Sequence, residues 1–213
     1  MMTICKWSAV SVAAAALLVY AGCSKSSAPT ANTAPAAASN PAPPGPVTAK
    51  TAFWLMYKSA RDWAPDVEVL RLDAKEVPGF KNEAGKAAMW EATFASPGKR
   101  ESRAYSYAIA DALPDVHKGV AAALEAPWGG ETRDVMPVDL ALFNVDSDAA
   151  YAAASAAATD WLKKNPDKPL AVMELGDTYK FQAPVWYLMW GNKKSGYVGL
   201  VDAASGKVLQ KKK

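Results

Sequence analysis

Two segments of the chain share one pattern: AMWEATF at residues 88–94 and PVWYLMW at residues 184–190. Each is a short apolar run around a tryptophan, which is typical of a largely buried β-strand. A second tryptophan precedes each run at a similar distance, 27 residues in one case and 25 in the other (Trp63 to Trp90, then Trp161 to Trp186). Such self-similarity predicts an internal duplication.

The similarity extends to three further pairs of segments in the same order: ARDW (60–63) with ATDW (158–161), VEVLRL (67–72) with LAVMEL (170–175), and IADA (109–112) with LVDA (200–203). An amphipathic helix precedes the strand-like runs in each copy, ending before Pro65 in the first and near Lys164 in the second. We therefore expect an α+β fold, built of two tandem helix-plus-antiparallel-sheet repeats packed as one globular unit.

Composition divides the chain into six parts. They are a signal peptide (1–22), a modified cysteine with an Ala/Pro-rich tether (23–47), the first repeat (48–112), the connector (113–142), the second repeat (143–210) and a basic tail (211–213). Within and just after the connector, a short helix is predicted at DVHKGVAAALEA (115–126), and MPVDLALFNV (136–145) is predicted to be a strand that leads into the second helix.

The first 22 residues have the parts of a signal peptide. One charged residue, Lys6, precedes an apolar run at residues 8–22, which is shorter than the roughly 20 residues that a membrane-spanning helix needs. Removal of this segment also removes Cys5, so the mature chain holds a single cysteine and cannot form an internal disulfide. Two alternative interpretations of this segment are the signal of an ordinary secreted protein and an uncleaved membrane helix.

Ala21, Gly22 and Cys23 resemble the lipobox of bacterial lipoproteins, although Tyr20 replaces the usual leucine. The resemblance implies that the lipoprotein-processing machinery attaches diacylglycerol to Cys23, cleaves before it and acylates its new amine. Two or more acyl chains hold a protein on a bilayer where one does not. Ser24, in place of an aspartate, implies the outer membrane with the domain in the periplasm. Residues 24–47 contain six prolines and one charge, which favours an extended tether.

The second repeat resembles PepSY and PepSY-like domains. The resemblance rests on FNVDSDAAYAAA (143–154), on PVWYLMW, and on the closing hairpin YVGLVDAASGKVL (197–209), and it extends more faintly to residues 50–112. It implies a cystatin-like helix on a sheet, and a small non-enzymatic domain of the bacterial envelope that in some relatives restrains peptidases. It implies no catalytic residues.

Several classes of function lack their residues in this sequence. His117 is the only histidine, no G-x-S-x-G elbow accompanies it, and one histidine without a usable cysteine does not make a transition-metal site. The net charge is +3, or +2 after loss of Lys6, which gives no electrostatic reason to expect nucleic acid. We expect no cofactor, no metal and no catalytic residue.

The sequence therefore predicts a membrane-anchored periplasmic lipoprotein that binds or regulates a protein or peptide of the cell envelope. Trp128, between Pro127 and Gly129, is a candidate partner contact, with packing at the core edge as the alternative. The other tryptophans of the folded part are expected in the core. Alternative functions are a structural role in envelope integrity and a hydrolase that uses dispersed carboxylates.

Overall fold

A computed structural model describes residues 45–112 and 114–209. The signal peptide, Cys23, the tether up to residue 44 and the basic tail lie outside the described residues. The elements are α1 (Ala49–Trp63), β1 (Glu68–Lys75), β2 (Met89–Ser96), β3 (Glu101–Ala108), β4 (Gly119–Pro127), α2 (Ser147–Ala157), α3 (Thr159–Lys164), β5 (Leu170–Gly176), β6 (Val185–Trp190), β7 (Tyr197–Asp202) and β8 (Val208–Leu209).

The described strands form one antiparallel sheet of eight in the order β4-β3-β2-β1-β5-β6-β7-β8. The prediction of a mixed α+β fold is confirmed at this level, as one large sheet with few helices. In each half the helical part, α1 in the first and α2 with α3 in the second, is followed by four strands, and β1 and β5 meet at the centre of the sheet. Helix α1 packs on β2 and β3, and α2 packs on β6 and β7, so each half covers its own strands.

Helix α1 forms because its apolar residues recur at helical spacing. Ala49, Ala52, Phe53, Met56 and Ala60 are all buried and face the sheet. The helix ends at Trp63, two residues before a proline that cannot continue it. Its outer face differs from the prediction in one respect: Trp54 is 53% exposed and lies outside the core.

Two tryptophans occupy matching places in the halves. Trp90 of β2 and Trp186 of β6 are fully buried. Each indole N–H donates a 2.9 Å hydrogen bond to the carbonyl oxygen two residues before a helix, that of Val47 for Trp90 and that of Val145 for Trp186. The two rings meet edge to face with centroids 6.3 Å apart. The predicted equivalence of AMWEATF and PVWYLMW thus corresponds to equivalent contacts at the centre of the core.

The amino termini of the two main helices are joined by side chains from the second half. Asp146 accepts hydrogen bonds from the backbone N–H of Ser147 at 2.7 Å and of Lys50 at 3.0 Å. The Ser147 hydroxyl accepts one from the N–H of Ala49 at 2.9 Å. Since the first N–H groups of a helix have no partner within it, Asp146 and Ser147 satisfy those of α1 as well as α2.

Two predictions for the connector are wrong. Residues 119–127 form strand β4, which pairs with β3, where a helix was predicted. Gly119 begins this strand at φ +92°, which a right-handed helix does not accommodate, and the free edge of β3 supplies hydrogen bonds that outweigh the helix propensity of alanine. The segment predicted as a strand, 136–145, instead contains a 3-10 turn over Leu140–Leu142.

The second helix is broken where one continuous helix was predicted. Ala158 separates α2 from α3, and the Thr159 hydroxyl bonds the Ala156 carbonyl at 2.8 Å. The match of IADA with LVDA is also displaced. Trp90 lies opposite Tyr107, whereas Trp186 lies opposite Val201, so the two aspartates of these segments are not at equivalent positions.

Candidate functional site

The loop between β1 and β2, residues 76–88, is braced by its own polar groups. The Asn82 side chain donates to the Lys75 carbonyl at 3.0 Å and accepts from the Ala88 N–H at 3.1 Å. Val77 is buried against Ala88 and Ile109. These contacts hold the loop as a fixed wall above the Lys75 end of the sheet.

A glycine places this wall against the second half. Gly85 is buried at φ +78°, and an added Cβ would overlap the carbonyl oxygen of Ser147 and the Cα of Asp148. Only glycine combines this backbone conformation with so close an approach. The loop therefore touches the amino terminus of α2 at Gly85 and leaves a space beside it.

That space is a cleft of about 930 Å³ between the loop, helices α2 and α3, and the first residues of β5. Its floor is apolar: Trp190 and Met173 are buried, and several half-buried side chains surround them. The Tyr151 and Trp190 rings lie against one another, 6.0 Å between centroids. The half-buried apolar residues of the cleft are Phe80, Tyr151, Leu162, Leu170 and Val172. Side chains of this kind, half covered around a concavity, are typical of a site that completes its burial with a ligand.

The rim of the cleft carries both signs of charge. It contains Glu76, Lys81, Glu83, Lys86 and Lys168. All but Lys168 are exposed, and Lys168 forms an ion pair with Asp167 at 3.1 Å. Because Asp167 neutralises Lys168, two lysines remain against two glutamates, and the rim has no net charge that would select an acidic or a basic ligand.

A pair of carboxyl groups lies on the opposite face of the sheet. Asp73 of β1 and Glu174 of β5 are cross-strand partners in the central pair. Arg71 contacts Asp73 at 2.9 Å, and Lys75 contacts Glu91 at 2.9 Å. Burial raises the pKa of the Glu174 carboxyl above its ordinary value, and the adjacent Asp73 carboxylate raises that pKa further. Nothing in the sequence distinguishes Glu174 from a solvated surface carboxylate, because its burial depends on the pairing of β5 with β1.

The residues singled out in the sequence do not meet at the cleft. Cys23 lies outside the described residues. Trp128 is half-buried just beyond β4, at the Glu68 end of the sheet, whereas the cleft opens at the Lys75 end. His117 lies 3.9 Å from Asp111, and both are exposed. In residues 45–112 and 114–209, no group of three or more His, Cys, Asp or Glu side chains is placed to hold a metal ion.

The cleft residues were missed because they belong to no motif. Tyr151, Leu162 and Trp190 have the spacing of ordinary core positions, and the sequence does not show that the β1–β2 loop stands away from them. The one usable signal was PGFKNEAGK at residues 78–86, in which two glycines and an asparagine predict successive tight turns. No helix among the described residues is long and apolar enough to cross a membrane.

No family model matches the chain, and no curated protein matches it. A crystal structure described as that of a putative lipoprotein from Clostridium difficile 630 is similar, at 11% identity and a TM-score of 0.45. The similarity covers 75% of this chain and 90% of that one.

Proposed function

We propose that the protein is a lipid-anchored module of the bacterial envelope, whose folded part binds a segment of another envelope protein or a peptide in the cleft beside β5. The observation that carries this proposal is the cleft itself. Its wall is braced by Asn82 and Gly85, and its apolar floor is only half covered.

The binding half of the proposal follows from the energetics of that floor. Side chains such as Leu162, Leu170 and Tyr151 are half-buried, and covering them with a ligand gains roughly 25 cal/mol for each Å² of apolar surface removed from water. Because Asn82 and Gly85 hold the wall in place, binding orders little of the protein itself, and the ordering entropy is lost mainly by the ligand. A folded cleft of this kind suits capture of a ligand and requires no catalytic group.

The anchoring half rests on the sequence. Ala21-Gly22-Cys23 has the form of a lipobox, and the segment that follows has the composition of a spacer. Acylation at Cys23 would keep the cleft at the membrane surface, with the periplasmic side of the outer membrane as the proposed location. In cells fed labelled palmitate, the wild-type chain is expected to take up label and to sediment with membranes. Unchanged labelling of Cys23→Ala would overturn the anchor.

The binding half is tested by photo-cross-linking in cells. A benzophenone amino acid at position 170, in the cleft, is expected to give a discrete adduct, whereas the same group at exposed position 124 on β4 is the matched control. Adducts of equal yield at both positions, or no adduct at position 170, would contradict ligand binding in the cleft.

A purely structural role makes a different prediction. Deletion of the gene would then sensitise cells to detergent. Production of the Leu170→Gln variant in those cells would restore resistance as well as the wild-type chain does.

A further inference from the structure

The two central strands pair over a short distance. Strands β1 and β5 have eight and seven residues, but their ladder comprises three pairs, Arg71 with Gly176, Leu72 with Leu175, and Asp73 with Glu174. Beyond Asp73 the strands separate, and Ala74 and residues 170–173 line opposite sides of the cleft. Residues 170–173 pair with β6 on their other side, so on the cleft side they form a strand edge with no described partner.

At the other end of the same strand pair, the protein closes the corresponding gap with its own chain. The Val138 N–H donates to the Val69 carbonyl at 2.7 Å, just outside the β1–β5 ladder. The Met136 N–H donates to the Asp177 carbonyl at 3.2 Å, just past β5. The extended segment 136–138 thus bridges the two strands through its backbone, and the Val138 side chain is buried.

We propose that the open end of this strand pair receives an extended segment of the partner protein, which adds to the edge of β5 between β1 and β5 as residues 136–138 do at the closed end. This inference rests on the proposed function and specifies how the cleft holds its ligand. An exposed strand edge offers backbone donors and acceptors at fixed spacing, which an extended peptide satisfies and a helix does not.

The pleat of an added strand fixes the chemistry of the ligand. Alternate side chains would point to opposite faces of the sheet. One set meets the apolar floor of Tyr151, Leu162 and Trp190, and the other set lies on the face that carries Lys75 and Glu91. The ligand is therefore an extended segment with apolar residues at every second position and polar residues between them.

The internal bridge supplies a first probe, which tests the backbone contacts and not the side-chain pattern, because its residues 135–138 (VMPV) are apolar without alternation. A fluorescein-labelled peptide of the sequence Thr132–Asp139, TRDVMPVD, is titrated with the acylated full chain in detergent and followed by fluorescence anisotropy. Saturable binding is expected, and Leu162→Gln or Leu170→Gln should weaken it at least tenfold, with circular dichroism confirming that the variants fold. Leu124→Gln, on exposed β4, is the control that should bind like wild type.

Backbone methylation separates strand addition from other modes of binding. N-methylation of the peptide at Met136 or Val138 removes an amide that donates in the internal bridge, and we expect at least a tenfold loss of affinity. The Asp134 amide donates no described hydrogen bond, so its N-methylation should have little effect. Equal affinities for all three methylated peptides, with binding still dependent on Leu162, would overturn strand addition and leave the cleft function standing.

A random twelve-residue library displayed on phage, selected against the same chain, tests the side-chain pattern. Cleft-dependent clones are expected to carry apolar residues at a period of two, and a period of three to four would overturn the inference. Absence of both peptide binding and cleft-dependent clones would contradict this inference and the proposed function together. Binding that appears only after deletion of residues 24–44 would show that the chain's own tether occupies the gap, and would overturn the partner segment.

Discussion

The two halves of the molecule hold their cores in the same way and differ where they meet solvent. Trp90 of β2 and Trp186 of β6 each bond, at the same 2.9 Å, the carbonyl oxygen two residues before a helix. Outside the core the likeness ends. The loop after β1 stands up as a wall beside a cleft, whereas the chain near the end of β5 is bonded to the connector. The two halves therefore pack their cores alike. The cleft over Trp190 and Met173 arises beside the 13-residue loop 76–88, whose counterpart between β5 and β6 (177–184) has eight residues.

The same contrast holds at the centre of the sheet. Asp73 and Glu174 face one another, but the basic residues Arg71 and Lys75 both belong to β1. Strand β5 has Val172 and Gly176 two residues to either side of Glu174. Two halves with matching cores thus place their carboxylates in unlike electrostatic surroundings.

The largest expected effect tests whether the cores are equivalent. Trp90→Ala and Trp186→Ala should each lower the free energy of unfolding by roughly 3–5 kcal/mol, because each removes a large, fully buried ring. The double variant should lose less than the sum, since the rings are in contact. Urea unfolding followed by far-ultraviolet circular dichroism measures all three. Trp54→Ala, at a half-exposed ring, is the control, and a loss below about 1 kcal/mol for either buried tryptophan would break the equivalence.

The next effect tests the asymmetric join between the helices. Asp146→Ala should cost about 1–2 kcal/mol, because its carboxylate accepts from the first N–H groups of both α1 and α2. Asp148→Ala is the matched control, since among the described residues the Asp148 carboxylate accepts only from the Ala149 N–H, in a solvent-exposed hydrogen bond. Equal losses for the two variants in the same urea measurement would show that the bond to Lys50 contributes nothing.

A smaller effect compares the outer strands of the halves. Val208 of two-residue β8 is half-buried against the core, whereas Leu124 of nine-residue β4 is 88% exposed. Val208→Ala should cost about 1 kcal/mol, and Leu124→Ala should stay within about 0.5 kcal/mol. Thermal unfolding ranks the two variants. The reverse order would mean that β4 is covered in solution.

The structure of β4 also shows which parts of the fold the sequence could predict. Residues at buried positions of regular elements, such as Phe53, Met56 and Trp186, were predictable because packing imposes a period on them. Strand β4 was not, because its alanines carry a helix signal and its strand state depends on the distant edge of β3. The cleft was not predictable for the same reason. It depends on the separation of β1 from β5, and the spacing of apolar residues along either strand does not show where the two strands separate.

The least perturbing change tests the electrostatic difference at the sheet centre, through pH. Burial and Asp73 raise the pKa of Glu174 in the folded state, so folding favours its protonated form. That stabilising contribution is fully present below the pKa of an unfolded glutamate, near 4, and is lost as pH rises through the folded pKa. Glu174→Gln should therefore raise Tm slightly at pH 7.5 and have almost no effect at pH 3.5.

Burial also raises the pKa values of Glu68 and Asp177, so the pH dependence of the wild-type Tm reports on several groups at once. The measurement that isolates Glu174 is the difference in Tm between the wild-type chain and Glu174→Gln at each pH. Glu91→Gln, which breaks the contact with Lys75, should lower Tm at pH 7.5. A fall in Tm for Glu174→Gln at pH 7.5 would mean that Arg71 and Lys75 neutralise both carboxylates, and that the two halves are electrostatically alike.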